Sequence, residues 1–301
     1  MRALQTIQVT DANLQASDVP ETDAALWLVG STYAVDDEVM LDHHVYRSVL
    51  GSNTGNDPRV DDGTNWLDLG FTNRWRAFDK KTQNLVAQAD SITYTISADN
   101  LITGVAVMNY VGSTVTVEVR DVSATLLSTH TKSRNGGQAI TSWWIAFTID
   151  LAAESIPDVI FEDVRCYPGN NITVTVATAV PGSIVSLGLL LLGVTRELGE
   201  TNNGTAIGIK DYSTKDKDPF GNAILVERVF ASTVNFSFSL PTDRAAFVRR
   251  TLAALRATPT LYYAGVDQTQ FGAQVFGFFQ DFEIPLTGPA ISFANLKVEE
   301  L

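Results

Sequence analysis

The sequence predicts a mainly β protein: a small all-β module, an antiparallel, jelly-roll-like β-sandwich, and a C-terminal α+β domain with one helix on a small antiparallel sheet. Three observations carry that expectation. Alternating runs of β-branched residues recur along the middle of the chain, turn clusters of Gly, Asn, Asp and Pro punctuate them, and helical periodicity is confined to one segment after Pro241. With 301 residues, 45% apolar and 18% charged, the chain is long enough to bury a sizeable core without covalent staples. The expected divisions are an N-terminal segment (1–20), the small module (21–70), the sandwich (71–196) and the α+β domain (197–301).

Residues 1–70 hold twelve acids and three arginines, a balance of −9 against −13 for the whole chain. Trp27, Tyr33, Tyr46 and Trp66 are spaced among polar turns such as Gly51-Ser52-Asn53-Thr54-Gly55-Asn56-Asp57-Pro58. That pattern reads as short strands around a thin apolar core.

From Phe71 to Arg196 the strand signal dominates. Ser91–Ile96, Ser113–Arg120 and Asn171–Val176 alternate apolar with polar residues, and Asn135-Gly136-Gly137 and Pro168-Gly169-Asn170 mark turns. Two-faced strands of this kind pack as a sandwich. Ile184–Val194, with its Leu189-Leu190-Leu191-Leu192 run, has no alternation and reads as a central strand buried on both faces.

The last hundred residues add a helix. Pro241-Thr242-Asp243 signals its start, with Thr242 or Asp243 as N-cap. Phe247, Val248, Thr251, Leu252 and Leu255 fall on one face, the four nearby arginines lie largely off it, and Thr258-Pro259 ends it. Strands are expected at Ala223–Val229, Thr233–Leu240, Thr260–Ala264, Gln274–Phe282 and Ile291–Val298, with the helix laid across them.

Residue types that carry chemistry are scarce. The net charge of −13 and pI near 4.6 repel nucleic acid and anionic membranes. One cysteine, Cys166, excludes a disulfide framework or thiolate zinc cluster within a chain and reads as a packed thiol. His43 and His44 would point to opposite faces of a strand and read as turn histidines. Phosphate-loop, dinucleotide, zincin and nucleophile-elbow motifs do not occur. Asp36-Asp37-Glu38 and Asp61-Asp62-Gly63 lack the spacing of a calcium loop and read as acidic turns. No catalytic residue, metal site or cofactor is expected, and the chain does not read as an enzyme. The start has no signal-peptide core, and the most apolar window runs 11 residues, against ~20 for a membrane-spanning helix. Neither export through a cleaved signal nor membrane insertion is expected.

Two stretches resemble known families. Leu26-Trp27, Tyr33-Ala34-Val35-Asp36-Asp37-Glu38-Val39, Val45-Tyr46-Arg47-Ser48, Asn53–Pro58 and Asn65–Gly70 follow the order of the small carbohydrate-binding module of chitinases. The departure is Asp42-His43-His44, where that family turns on Asn or Gly. The resemblance implies a sugar platform, with Tyr33 and Trp66 as candidate rings, because an exposed aromatic stacks on the apolar face of a pyranose. The alternative for the same rings is the core of the module, the reading preferred for Trp27 and Tyr46.

Gly70–Asp79 and Ile209–Asn222, continuing to Val226-Glu227-Arg228, resemble stretches of phage tail and baseplate proteins. That resemblance implies a structural component of a tail tip or baseplate, made in the host cytoplasm and located in the virion. Its implied partners are other tail or baseplate proteins, copies of itself and host cell-surface polysaccharide. Arg74, Trp75 and Arg76 are then candidates for docking a neighbouring subunit, or else a cluster at a strand start with arginine stacked on tryptophan. The competing reading is a secreted polysaccharide-processing enzyme or accessory glycan-binding protein, which requires two facing carboxylates for hydrolysis. A third is an intracellular β-rich assembly protein without sugar affinity.

Overall fold

The computed structural model describes residues 1–134, 158–217, 220, 222–265, 272–285 and 288–301; the Asn135-Gly136-Gly137 turn lies outside them. Strands β1 (Arg2–Thr6) and β2 (Leu14–Ser17) precede the small module. The module holds β3 (Ala25–Leu26), β4 (Thr32–Tyr33), β5 (Glu38–Leu41), β6 (His44–Ser48), β7 (Asn53–Thr54) and β8 (Trp66–Phe71). Next come β9 (Val86–Ala89), β10 (Ser91–Ser97), β11 (Ile102–Val111), β12 (Thr114–Arg120), β13 (Leu126–Ser133), β14 (Val159–Cys166), β15 (Asn171–Ala177) and β16 (Ile184–Glu197). The last part contains β17 (Glu200–Thr201), β18 (Ala206–Asp211), β19 (Thr214–Lys217), β20 (Ala223–Val226) and β21 (Phe230–Pro241). Helix α1 (Ala245–Leu255) and strands β22 (Thr260–Tyr263), β23 (Gln274–Glu283) and β24 (Ile291–Glu300) complete it. Among the described residues every ladder is antiparallel except β3 with β5.

A five-stranded sheet, β13-β12-β15-β10-β2, shares its core with part of an eleven-stranded sheet. The alternation in the sequence is what builds this core. Ile92, Tyr94 and Ile96, Val115, Val117 and Val119, and Ile172, Val174 and Val176 all point inward, opposite Val105, Val107 and Leu190. Threonines take the intervening positions and pair across strands, as Thr95 does with Thr173 at 3.0 Å.

The eleven-stranded sheet runs β14-β11-β16-β1-β22-β23-β24-β21, with β17 and β18 on the open side of β21 and β9 on β16. It therefore crosses the division expected at residues 196/197 without a break. The link is β1: Ala3 lies opposite both Arg196 and Tyr262. Residues 1–20 are thus part of the body, because both edges of β1 are needed to complete the ladders of its neighbours. At Gly193 the backbones approach so closely that a Cβ would overlap the Gln5 carbonyl.

Strand β16 is buried on both faces, as its composition predicts. Its alternation reverses midway. Val185 and Leu187 face the sandwich core, but so do Leu190 and Leu192, while Leu189 and Leu191 face a second core with Leu4, Leu261 and Phe276. The reversal falls at Gly188, between the pairs Met108↔Leu189 and Tyr110↔Leu187. On the facing strand Asn109 takes a left-handed φ of 50°, held by its N–H on the Asp158 carboxylate at 2.7 Å.

Helix α1 buries Val248, Leu252 and Leu255 against Phe236, Phe238, Leu240 and Leu296. Two details of the helix differ from expectation. Thr242 and Asp243 lie in a 3₁₀ turn ahead of α1 and do not cap it. The Thr242 hydroxyl instead bonds the Gly288 carbonyl at 3.0 Å and the Ser292 hydroxyl at 2.9 Å, tying the turn to β24. Phe247 remains 41% exposed, with the Arg244 guanidinium 5.6 Å above its ring, because it lies about 100° round the helix from Val248.

Candidate functional site: the module and its joint

The module is organised by the β5–β6 hairpin, whose two turn residues are Asp42 and His43. Both have left-handed backbones, φ 48° and 67°, the geometry a two-residue hairpin turn requires. This conformation costs a residue with a side chain roughly 1–2 kcal/mol, which explains why Asn and Gly are the usual occupants.

Val39, Tyr46 and Trp66 form the module's small core, with Trp27, Tyr33 and Leu41 packed at its margin. Trp66 is 2% exposed, and its indole N–H donates to the Asn56 carbonyl at 2.9 Å. Asp61 fixes the approach to it by accepting from the N–H groups of Gly63, Asn65 and Trp66. Burial pushes the Asp61 carboxyl up, but these N–H donors and the Asn65 amide outweigh it and hold its pKa below the ordinary value.

This corrects the expected platform. The Tyr33 and Trp66 rings meet edge to face, 5.2 Å apart and 68° from parallel, so they present no common plane. A module of about fifty residues has so little apolar surface that its largest ring is consumed as core. Tyr33 is half-buried, and its hydroxyl accepts from the Leu28 N–H at 2.7 Å.

The polar chemistry is concentrated where the module meets the body. Glu21 accepts from the Thr72 hydroxyl at 2.8 Å, bonds His43 Nδ1 at 2.8 Å and lies 3.6 Å from the Arg74 guanidinium. His43 Nε2 reaches Asp11 at 2.9 Å, and its ring packs on Trp75 with centroids 4.2 Å apart. Arg74 Nε also donates to the Val19 carbonyl at 2.7 Å. Asp23 accepts from the Asn73 N–H at 3.0 Å and lies 3.8 Å from Arg76.

Arg74, Trp75 and Arg76, the candidates for docking another subunit, are engaged within the chain. Trp75 is buried in the sandwich core, and both arginines are engaged within their own chain. They dock the module onto its own body. His43, packed at a tilt against Trp75, completes this joint. The sequence signal for its role is its position as the second residue of a two-residue turn.

Burial of the His43 ring opposes its protonation, but hydrogen bonds to Asp11 and Glu21 outweigh that and raise its pKa above 6.5. A histidine raised on folding stabilises while protonated. Its contribution is complete below about pH 6.5, the unfolded value, and is lost as the pH climbs through the folded value. The module's melting temperature should accordingly fall from mildly acidic to mildly alkaline buffer, and His43→Gln should flatten that profile. A flat wild-type profile would mean that the proton on His43 does not hold the joint.

Elsewhere the perturbed groups are structural. Burial pushes the Cys166 thiol up to about 11, which makes it a packed, unreactive group. Burial also raises the Asp158 carboxyl, against the pull of the Asn109 N–H and the Gln274 amide, where it holds the reversal in β11. Among the described residues no group of three or more His, Cys, Asp or Glu side chains is placed to hold a metal ion. No described helix is long and apolar enough to cross a membrane. Compared with family models, curated proteins and solved structures, the chain matches none.

Proposed function

We propose that the chain is a structural component of a phage tail tip or baseplate, located in the virion, in which the module is a rigid spacer on the exterior. The observation that carries this reading is the joint. Glu21, at the start of the module, contacts Thr72, His43 and Arg74 together, so the chain enters and leaves at one clamped point. A tethered sugar reader would be served by a flexible linker; a part that passes load between neighbours needs a fixed one. The order of residues in Gly70–Asp79 and Ile209–Asn222 supplies the assembly class. Repeated copies in such assemblies touch identical chains as well as other tail proteins. Contact with host polysaccharide falls to the half-exposed Tyr33 without Trp66.

Immunogold labelling and mass spectrometry of particles purified from the cells that encode the chain test the assignment. Label at the tail end is expected; particles free of the chain overturn it. The spacer reading has its own test. Replacing residues 22–71 with a short Gly-Ser linker should leave a folded remainder, since the flanking Glu21 and Thr72 side chains are 2.8 Å apart. A remainder that fails to fold would show that the module is part of the body's core.

A further inference from the structure

We infer that β18 is the edge through which two copies of this chain join into one continuous sheet about a twofold axis. The inference holds whether or not the chain is a tail part. β18 pairs with β21 on one side, Ile207 opposite Val234 and Ile209 opposite Ser232. Its other edge carries no strand among the described residues. Directly opposed residues of an antiparallel pair share a face. Ile207 and Ile209 therefore extend the face that Val234, Phe236 and Phe238 bury in the C-terminal core. They carry it into solvent, 60% and 72% exposed.

Natural edge strands are blunted by charge, proline or a bulge; in β18 charge is confined to the last two residues, Lys210 and Asp211, and the Ala-Ile-Gly-Ile of residues 206–209 carries none of these. The β19–β20 hairpin just beyond adds Ile224, Leu225 and Val226, all exposed. Consecutive strand residues point to opposite faces, so this apolar surface lies on both sides of a two-stranded ribbon, a unit of marginal stability in water.

Charge selects a second copy as the occupant. Residues 206–230 carry four basic and four acidic side chains, within a chain of net charge −13. Two chains repel over most of their surfaces and do not repel here. Lys210 is paired with Glu299 and Lys215 with Asp211. Lys217 and Arg228, and Asp216 and Glu227, have no ion pair among the described residues, so each hairpin, continuing β18 past the partner's Thr205 in the register below, carries unpaired charges of both signs toward that chain.

The hydrophobic pattern also sets the register. With Gly208 on the axis, Ile207 lies opposite the partner's Ile209 and Ile209 opposite the partner's Ile207, four isoleucines on one face. Ala206 then meets the partner's Lys210, and no like charges are opposed. Centring on Ile209 instead would set Ile207 against the partner's Asp211.

Sedimentation velocity on the full chain over a concentration series should show a monomer–dimer equilibrium. Ile207→Lys/Ile209→Lys should leave a monomer with unchanged far-UV circular dichroism. Cysteine cross-linking tests the register independently, because the native Cys166 is buried. Gly208→Cys should oxidise to a covalent dimer. Ala206→Cys should not, since its two copies would be about 13–14 Å apart along the strands, beyond the roughly 7 Å a disulfide can bridge. A wild type that stays monomeric throughout, or cross-linking no stronger at 208 than at 206, overturns the pairing.

Discussion

Leu4→Ala should cost about 2–5 kcal/mol of stability, the range for removing a fully buried leucine, and should uncouple the two halves of the large sheet. Leu4 is completely buried and packs with Leu189, Leu261 and Phe276, contacts drawn from both sides of β1. The strand itself pairs with β16 on one edge and β22 on the other, and among the described residues nothing else on the sheet path joins them. Weakening β1 thus loosens the strand whose two ladders make two sheets into one. All five tryptophans lie within the first 144 residues, so indole fluorescence reports on the first half and far-UV circular dichroism on both. In urea, the two probes should coincide for the wild type and separate for the variant. A loss below about 1 kcal/mol, far under the range for buried leucine truncations, would mean that the halves hold together without this contact.

Trp66→Ala should unfold the module while the sandwich stays intact. The ring is one of three buried side chains in the module's core, and truncating a buried aromatic costs about 3–5 kcal/mol, which is much of what so small a unit can supply. Hydrogen exchange read over residues 25–70 should lose protection there and retain it in β10, β12 and β15. Tyr33→Ala removes a half-buried ring from the margin and should cost markedly less. The same pair of variants separates core from platform. A Trp66→Ala protein that kept its protection and lost only glycan affinity would restore the sugar-binding role of that ring.

Local pattern carried much of the fold. Strands β10, β12 and β15 were legible because one face of each is buried, and alternation records burial directly. The length and composition of β16 marked it as buried on both faces. Val248, Leu252 and Leu255 marked the buried stripe of α1. The site was less legible. The four aromatics and the acidic turns showed a small module, but whether Trp66 faces sugar or core depends on how much apolar surface the folded module has in total. Arg74, Trp75 and Arg76 stood out as a cluster, yet their partners Glu21, Asp23 and Val19 lie about fifty residues earlier.

By itself, the sequence determined the class: an acidic, mainly β chain with a C-terminal helix, a small aromatic module at the front and no recognisable catalytic motif. Tertiary structure decided the rest. It placed β1 between β16 and β22, reversed the faces of β11 and β16 at Asn109 and Gly188, buried Trp66 and turned His43 into the pin of a joint. The physical reason is common to all four. Periodicity encodes which side of an element is hidden from water, whereas a ladder partner or a buried ion's counter-charge is chosen by contacts between residues far apart in the chain, and no local pattern records that choice.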